Sequence, residues 1–380
     1  MTHPSFNKTK PRILVSGHLP PPMGGIATYY QSLLSSSLPQ QVDLDFVETS
    51  SQKRTGAESG TFSFSNLISA INDCVRFTRA VIKHHPQLTH IATTLELSFV
   101  KHSVCVLIAR LFRSRVLLHP HCGFPALYTD QTRWWQWFIR QVIRLTNGVV
   151  VLSNEWNQLN SVVPGCPVYY LPNAIDLSAY RNLGSGRIAE AKNPPQLKVL
   201  YLGYMGKSKG SFDLLEAARG TMSKNIPVIF DLVGEDVSPG EVEQIKQQID
   251  QTGLGNVVTL HPTASNTKKI DFFREADIFI YPSYSEGMPI AVIEAMACGL
   301  PIIATRVGGL PDLVRDGNNG ILVDAGRPDQ LESALESLIL NPELRLSMQV
   351  NSYQHAFDEY EIEKHVKRLV DIYGKTLAIA

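Results

Sequence analysis

The sequence predicts a doubly wound α/β architecture that occurs twice in tandem, and three observations carry that expectation. Short β-branched runs alternate with longer amphipathic segments from end to end, the pattern of βαβ units around a parallel sheet. The alternation runs through six strands, lapses over a polar stretch, and then begins again. The length of 380 residues, with 44% apolar content, suffices for two cores at about 150 residues each.

In the first series, strands are expected at 12–16, 42–47, 88–91, 115–119, 149–152 and 168–171, with helical patterns at 26–36, 67–83, 97–112 and 134–145. Residues 183–197, LGSGRIAEAKNPPQL, hold Gly, Ser, Lys and a Pro-Pro pair with almost no apolar periodicity. They read as a linker or exposed loop. The second series places strands at 198–202, 228–233, 257–260, 278–281, 301–304 and 321–323. In the last forty residues, Ile362, Val366, Leu369, Val370 and Tyr373 share one helix face. The expected division is 1–180, a linker at 181–197, a second domain at 198–356, and a terminal helix at 357–380. Ligands of such sheets bind where loops leave the carboxyl ends of the strands.

Equal numbers of Lys+Arg and Asp+Glu, 35 each, argue against a nucleic-acid binder. The balance is uneven along the chain: residues 1–180 hold 15 basic and 9 acidic residues, and the remainder 20 and 26. Cys74, Cys105, Cys122, Cys166 and Cys298 are scattered and odd in number, which suggests neither a disulfide framework nor a zinc site but a reducing compartment. No stretch is long and apolar enough to span a membrane, and the polar N-terminus lacks a signal-peptide core. A cytoplasmic protein is expected, touching a membrane at most from its inner face.

The densest motif is YPSYSEGMPIAVIEAMACGLPIIATRVGGLP, residues 281–311. A strand ending at Tyr281 feeds a polar loop, and a helix is expected to open at about Pro289, where a fixed φ and a missing N–H are tolerated. The amides of Gly287, Met288 and Ile290 then lie at a helix N-terminus, an environment that attracts phosphate. Glu286 precedes that terminus and Glu294 lies about a turn and a half inside it, so both can face one ligand bearing hydroxyls as well as phosphates. In isolation such a glutamate pair reads as a cap and a solvated face residue; its strand, proline-started helix and Gly-Gly turn favour the site.

At these residues the chain resembles the retaining glycosyltransferases of family 4, in the two-Rossmann-domain class called GT-B. The pattern S-x-x-E-G-x-P-x-x-x-x-E-A-x-A-x-G-x-P-x-I-A-T-x-V-G-G-x-P is nearly complete from Ser283 to Pro311. The resemblance implies that Glu286 contacts a donor sugar, that Glu294 holds the ribose hydroxyls, and that Gly287, Met288, Pro289 and Ile290 approach sugar and diphosphate. It also implies that the terminal helix returns to the first domain.

A second loop, Gly203-Tyr-Met-Gly-Lys-Ser-Lys-Gly210, follows the first strand of the second series. Its glycines let backbone approach a ligand, and its lysines are compact cations for diphosphate oxygens. It is not a Walker A loop, because Tyr201 occupies the first glycine position. The family has Gly-Arg and, later, Lys-Gly here; Lys209 and Gly210 match the later pair, whereas Tyr204 stands where arginine is expected, with Lys207 as an added cation. Arg306 likewise replaces the commoner Asp or Asn.

In the first half, PPPMGGIA at 20–27 sets Gly24 and Gly25 between strand and helix, where the family has P-P-x-G-G-[IV]. His119 and His121 in HPHCGF lie on one side by alternation, but no third ligand is in sequence reach to make a metal site. The resemblance places a sugar-contacting histidine at His121, with Cys122 where glycine is usual. Asn173 in LPNAID reads as a hinge element. Asp43 and Asp45 spell D-x-D on the polar face of a strand and read as solvated. RWWQWFIRQVIR, 133–144, suits either an anionic membrane interface or a core helix with snorkelling arginines.

The resemblance therefore implies a GT-B retaining transferase. It would take a sugar from a nucleotide-sugar donor, UDP- or GDP-linked, to a saccharide or lipid-linked acceptor, with the donor a substrate and neither metal nor cofactor required. Glu286, His121 and Lys209 would serve the reaction, and Gly203, Tyr204, Lys207, Glu294 and the Gly24-Gly25 pair the donor. A same-fold epimerase or hydrolase and a non-catalytic nucleotide-sugar binding module or partner subunit, the last motivated by Tyr204, are the competing readings.

Overall fold

The computed structural model describes residues 10–21, 24–49, 64–190, 193–264 and 266–378. Pro22 and Met23 of the 20–27 segment, residues 1–9 of the polar N-terminus and residues 191–192 lie outside them. The chain divides into two compact units, Met1–Asp176 with Glu361–Ala380, and Leu177–Tyr360.

The first unit is built on β1 (Arg12–Gly17), β2 (Asp43–Glu48), β3 (Leu88–Thr93), β4 (Arg115–Pro120), β5 (Gly148–Val151) and β6 (Val168–Tyr170). They form one sheet in the order β2-β1-β3-β4-β5-β6, every pair parallel. Helices cover both faces, as a parallel sheet requires. On one face Phe77, Phe99, Val106 and Ile139 pack against Leu14, Ile91 and Val116. On the other, Tyr29, Leu33, Val366 and Leu369 pack against Val15, Leu117 and Val150.

The second unit uses β7 (Leu197–Leu202), β8 (Val228–Val233), β9 (Val258–His261), β10 (Ile278–Tyr281), β11 (Ile302–Thr305) and β12 (Gly320–Val323), in the order β12-β11-β10-β7-β8-β9. Each expected strand is present within two residues of its predicted ends. Strand order reverses between β1 and β3 in one sheet and between β7 and β10 in the other. At such switch points the loops part and leave a crevice beyond the strands' carboxyl ends. Gly24, Gly203, Tyr204, Lys207, Lys209 and Glu286 sit on these loops, whereas His121 follows β4 and Glu294 lies in the helix after β10.

Three expectations need correction. Residues 183–190 are not loop: a helix runs Ser178–Glu190. Its packed face is Tyr180, Gly184 and Arg187, a glycine and a cation where an apolar stripe would normally betray a helix. The Arg187 guanidinium donates to the carbonyls of Cys298 at 2.9 Å, Ala276 at 2.5 Å and Phe273 at 2.6 Å. The helix expected from Pro289 begins instead at Ile290, because Pro289 is extended, with φ −73° and ψ 124°. The helical C-terminus is broken into Pro342–Glu359 and Ile362–Ala378, with Glu361 bridging to Ile175 where the chain rejoins the first unit.

Candidate functional site

In the second unit the loops after β7 and β10 close on one another. Gly210 has φ +69°, and a Cβ there would lie 2.0 Å from the carbonyl oxygen of Pro282, so this position takes only glycine. Tyr284 N–H donates to Ser208 O at 3.0 Å across the same junction. The contact brings Lys209 Nζ to 2.5 Å from Glu286 Oε1, which also accepts from Ser283 Oγ at 2.8 Å. Both partners keep some solvent access, 22% for the lysine side chain and 11% for the glutamate. They are therefore held in place yet reachable.

A third loop supports Glu286 from behind. Gly308 has φ +54°, with its Cβ position 1.8 Å from Glu286 O, and Gly309 would place a Cβ 2.2 Å from Gly287 O. Gly309 N–H donates to that Gly287 oxygen at 2.8 Å. The Gly-Gly pair is thus needed so that the loop after β11 can press on the Glu286-Gly287 backbone. Thr305 Oγ1 donates to Ser283 O in the same layer.

Glu294 lies in the Ile290–Ala297 helix and is 2% exposed. Its Oε1 accepts from Tyr180 Oη at 2.8 Å and from Lys269 Nζ at 2.5 Å. A buried carboxylate persists when its charge is matched and hydrogen-bonded. Sequence reading missed both partners. Lys269 belongs to the Asn266–Glu275 helix, whose KKID stretch is like any solvated face, and Tyr180 lies at the start of the helix that was taken for a linker.

Gly203 and Tyr204 lead the β7 loop. Tyr204 is half-buried, its carbonyl accepts from Tyr201 Oη, and burial pushes its phenol pKa up. It supplies no cation. Lys207 is exposed, and its amide donates to Glu241 Oε1 at 2.9 Å, so Glu241 buttresses this loop without having been predicted. Arg306 pairs with Asp316 at 2.6 Å and donates to Leu322 O at 3.1 Å, a structural tie between the ends of β11 and β12. Of the D-x-D pair, Asp43 is exposed and Asp45 meets His84 at 2.5 Å.

In the first unit Gly24 caps the Gly25–Ser35 helix in an extended conformation, and a Cβ on it would meet nothing within 4 Å. The fold itself does not require glycine there. His121 is half-buried in sequence-distant company: Tyr30 Oη lies 3.4 Å from its Nε2, and the His119 and His121 rings are 4.1 Å apart. His119 Nδ1 contacts His90 Nε2 at 3.1 Å, His90 Nδ1 contacts Tyr373 Oη at 2.8 Å, and Tyr29 Oη contacts His365 Nε2 at 2.9 Å. Burial is the main cause that pulls these imidazoles down, His90 and His121 to about 3 and His365 to about 4, so all are neutral. Among the described residues His121 Nδ1 and His119 Nε2 are buried without a hydrogen-bond partner. Asn173 is buried just before the chain leaves this unit.

A cavity of about 150 Å³ opens at the β1/β3 switch point, lined by Gly17, Thr49, Thr93, Ser98, Lys101 and His102 among others. Lys101 is occupied by Asp73 at 2.9 Å and by the Thr49 carbonyl, so the polar groups left on an otherwise mainly apolar wall are hydroxyls and imidazoles.

Residues 186–355 match the family model described as Glycosyl transferases group 1. Curated relatives include D-inositol 3-phosphate glycosyltransferases: that of Arthrobacter sp. (strain FB24) is 32% identical over 189 residues, 49% of this chain and 45% of the relative. That of Corynebacterium jeikeium (strain K411) is 27% identical over 225 residues, 55% of this chain and 54% of the relative. The matched stretch spans about half the length of these relatives. Among solved structures, sucrose-phosphate synthase from Thermosynechococcus elongatus aligns with a TM-score of 0.76 at 18% identity, covering 98% of this chain and all of that one. Anabaena HepE in complex with UDP-glucose aligns at 0.72 with 15% identity, covering 96% and 100%. The architecture is the two-domain GT-B fold of these structures, and the stretch that resembles the Glycosyl transferases group 1 model, residues 186–355, lies within the second unit.

Proposed function

We propose that this chain is a retaining glycosyltransferase. It moves a hexose from a UDP- or GDP-linked donor to a hydroxyl of a saccharide or glycolipid acceptor, in the synthesis of cell-surface polysaccharide or glycoconjugate. One observation carries the reading: at the β7/β10 switch point Lys209 and Glu286 are held in contact beside the helix that opens at Ile290. A nucleoside diphosphate leaving a sugar needs a cation and N–H donors where charge develops, and this place offers both. Lys209 takes a diphosphate oxygen, and the Gly287–Ile290 backbone takes others. Glu286 orients the sugar hydroxyls. Because Tyr180 and Lys269 both land on Glu294 Oε1, Oε2 is left for the ribose hydroxyls.

The first unit has polar groups of its own that suit a saccharide or a phosphate. Gly24 leaves room for backbone amides to approach a phosphate, and the orphaned Nδ1 of His121 suits a sugar hydroxyl. The cavity at the β1/β3 switch point, with a few hydroxyls on a mainly apolar wall and no free cation among the described residues, suits an uncharged acceptor. The C1–phosphate bond breaks as the acceptor oxygen bonds C1 on the same face, and the departing phosphate oxygen takes the acceptor proton. This route requires neither a metal nor a glycosylated carboxylate. The five free thiols agree with a cytoplasmic site of action.

Proton NMR of the product and intact-mass analysis of the quenched enzyme test the mechanism together. Retained anomeric configuration with unmodified protein is expected. An inverted product, or a hexose adduct on Glu286, would overturn the front-face step.

A further inference from the structure

Among the described residues, most of the large apolar side chains that face solvent belong to one layer of the first unit. Three helices, Phe64–His84, Glu96–Leu111 and Arg133–Arg144, press their inner stripes into the same core cluster on one face of the sheet. They also touch one another. Lys101 pairs with Asp73 at 2.9 Å between the first two, and Phe99 lies 6.0 Å, ring to ring, from Phe138 of the third.

Each helix carries a second apolar stripe on its outer side. In the middle helix Val104, Leu107 and Leu111 repeat at helical spacing, Leu111 being 81% exposed. Leu67, Ile71 and Val75 do the same in the first helix, and Trp134 and Trp137 in the third, at 65% and 52% exposure. Scattered apolar residues on a surface need no explanation, but stripes on three adjacent helices make a contiguous patch, and such patches mark a contact surface.

The charges around the patch say what it contacts. The three helices hold eight Lys and Arg against two acids, Asp73 and Glu96, and Asp73 is buried. Arg76, Arg79, Lys83, Arg110, Arg133 and Arg144 are exposed. A second copy of this chain would set like charges against each other. Leucine, valine and tryptophan with an arginine and lysine rim instead match the boundary between acyl chains and anionic headgroups. No helix among the described residues is long and apolar enough to cross a membrane.

We infer that this three-helix face is a docking surface for an anionic lipid bilayer, on which the protein lies without spanning. The reading is independent of the sugar-transfer reading, since binding needs no turnover. The test is co-sedimentation of the full chain with vesicles of phosphatidylcholine alone and of phosphatidylcholine mixed with phosphatidylglycerol. Thermal denaturation of each variant checks folding. Binding is expected only to the mixed vesicles. Replacing Arg110 and Arg144 by Gln should weaken it about fivefold for each arginine, and Val104→Glu with Leu107→Glu should abolish it at an unchanged melting temperature. Equal binding to both vesicles, no binding to either, or binding indifferent to the glutamate variant would overturn the proposal. So would a dimer in sedimentation velocity that dissociates in that variant, because the occupant would then be a second copy.

Discussion

Lys209 and Glu286 are where function and stability separate. The pair is partly solvent-accessible, so removing it should change stability by no more than about 1 kcal/mol. If the lysine meets developing diphosphate charge, Lys209→Ala should lower kcat about a hundredfold or more. Steady-state kinetics beside a urea titration would show that split, and equal losses in both would make the pair structural. Glu294 behaves differently because it is buried with Lys269. Glu294→Ala leaves that lysine unpaired and should cost about 3–5 kcal/mol, whereas Glu294→Gln keeps an acceptor for Tyr180 and should cost less, as urea denaturation would record. Gly308→Ala forces a Cβ into Glu286 O at φ +54°, and should cost more than the roughly 1–2 kcal/mol of left-handed backbone while also weakening donor binding. The glutamates, Lys209 and the Gly-Gly pair were all legible, because they are close in sequence within strand-loop-helix units. Tyr180, Lys269 and Glu241 were not, since nothing local distinguishes them from surface residues until the chain is folded.

Two elements show what periodicity can and cannot convey. The strands were readable since each is a short β-branched run bounded by turn residues, and β3 is buried along its full length. The Ser178–Glu190 helix was not, because it docks through a glycine against Ala297 O and an arginine over three carbonyls. Arg187→Ala should therefore destabilise the second unit by about 2–4 kcal/mol by leaving buried carbonyls unpaired, a change that a urea titration followed by tryptophan-independent circular dichroism would detect. β3, β4 with the loop after it, and the last helix together make the neutral histidine cluster. Unfolded, those imidazoles take protons near pH 6.5; folded, His90 and His121 do so only near 3 and His365 near 4. The unfolded chain thus binds more protons in that window, and stability, complete above about pH 6.5, falls as pH drops, by about 1.4 kcal/mol per unit for each histidine. Urea midpoints at about pH 7.5 and about pH 5.5 check the sign, and His121→Gln should flatten the fall.

On the scale of the whole molecule, a repeated α/β pattern in the sequence becomes two six-stranded parallel sheets, each with one switch point, and the loops at the second carry Gly203, Tyr204, Lys207, Lys209 and Glu286. The points where the chain passes between units, after Asp176 and again after Tyr360, were harder to read. They depend on which unit a helix packs against, and amphipathic spacing is the same either way. The charge asymmetry read from the sequence has a physical address in the three basic, apolar-faced helices of the first unit. The central claim is that the β7/β10 loops bind a nucleotide-sugar diphosphate through Lys209 and Glu286. Its most direct test is thermal denaturation of wild type and Lys209→Ala with UDP, GDP, ADP and their hexose conjugates, with and without magnesium. Ligand at about a hundred times its Kd adds about 2.7 kcal/mol to the folded state. A rise in melting temperature with one nucleotide family, independent of magnesium and lost in the variant, is the predicted result; no rise with any of them, or an undiminished rise in Lys209→Ala, would contradict it.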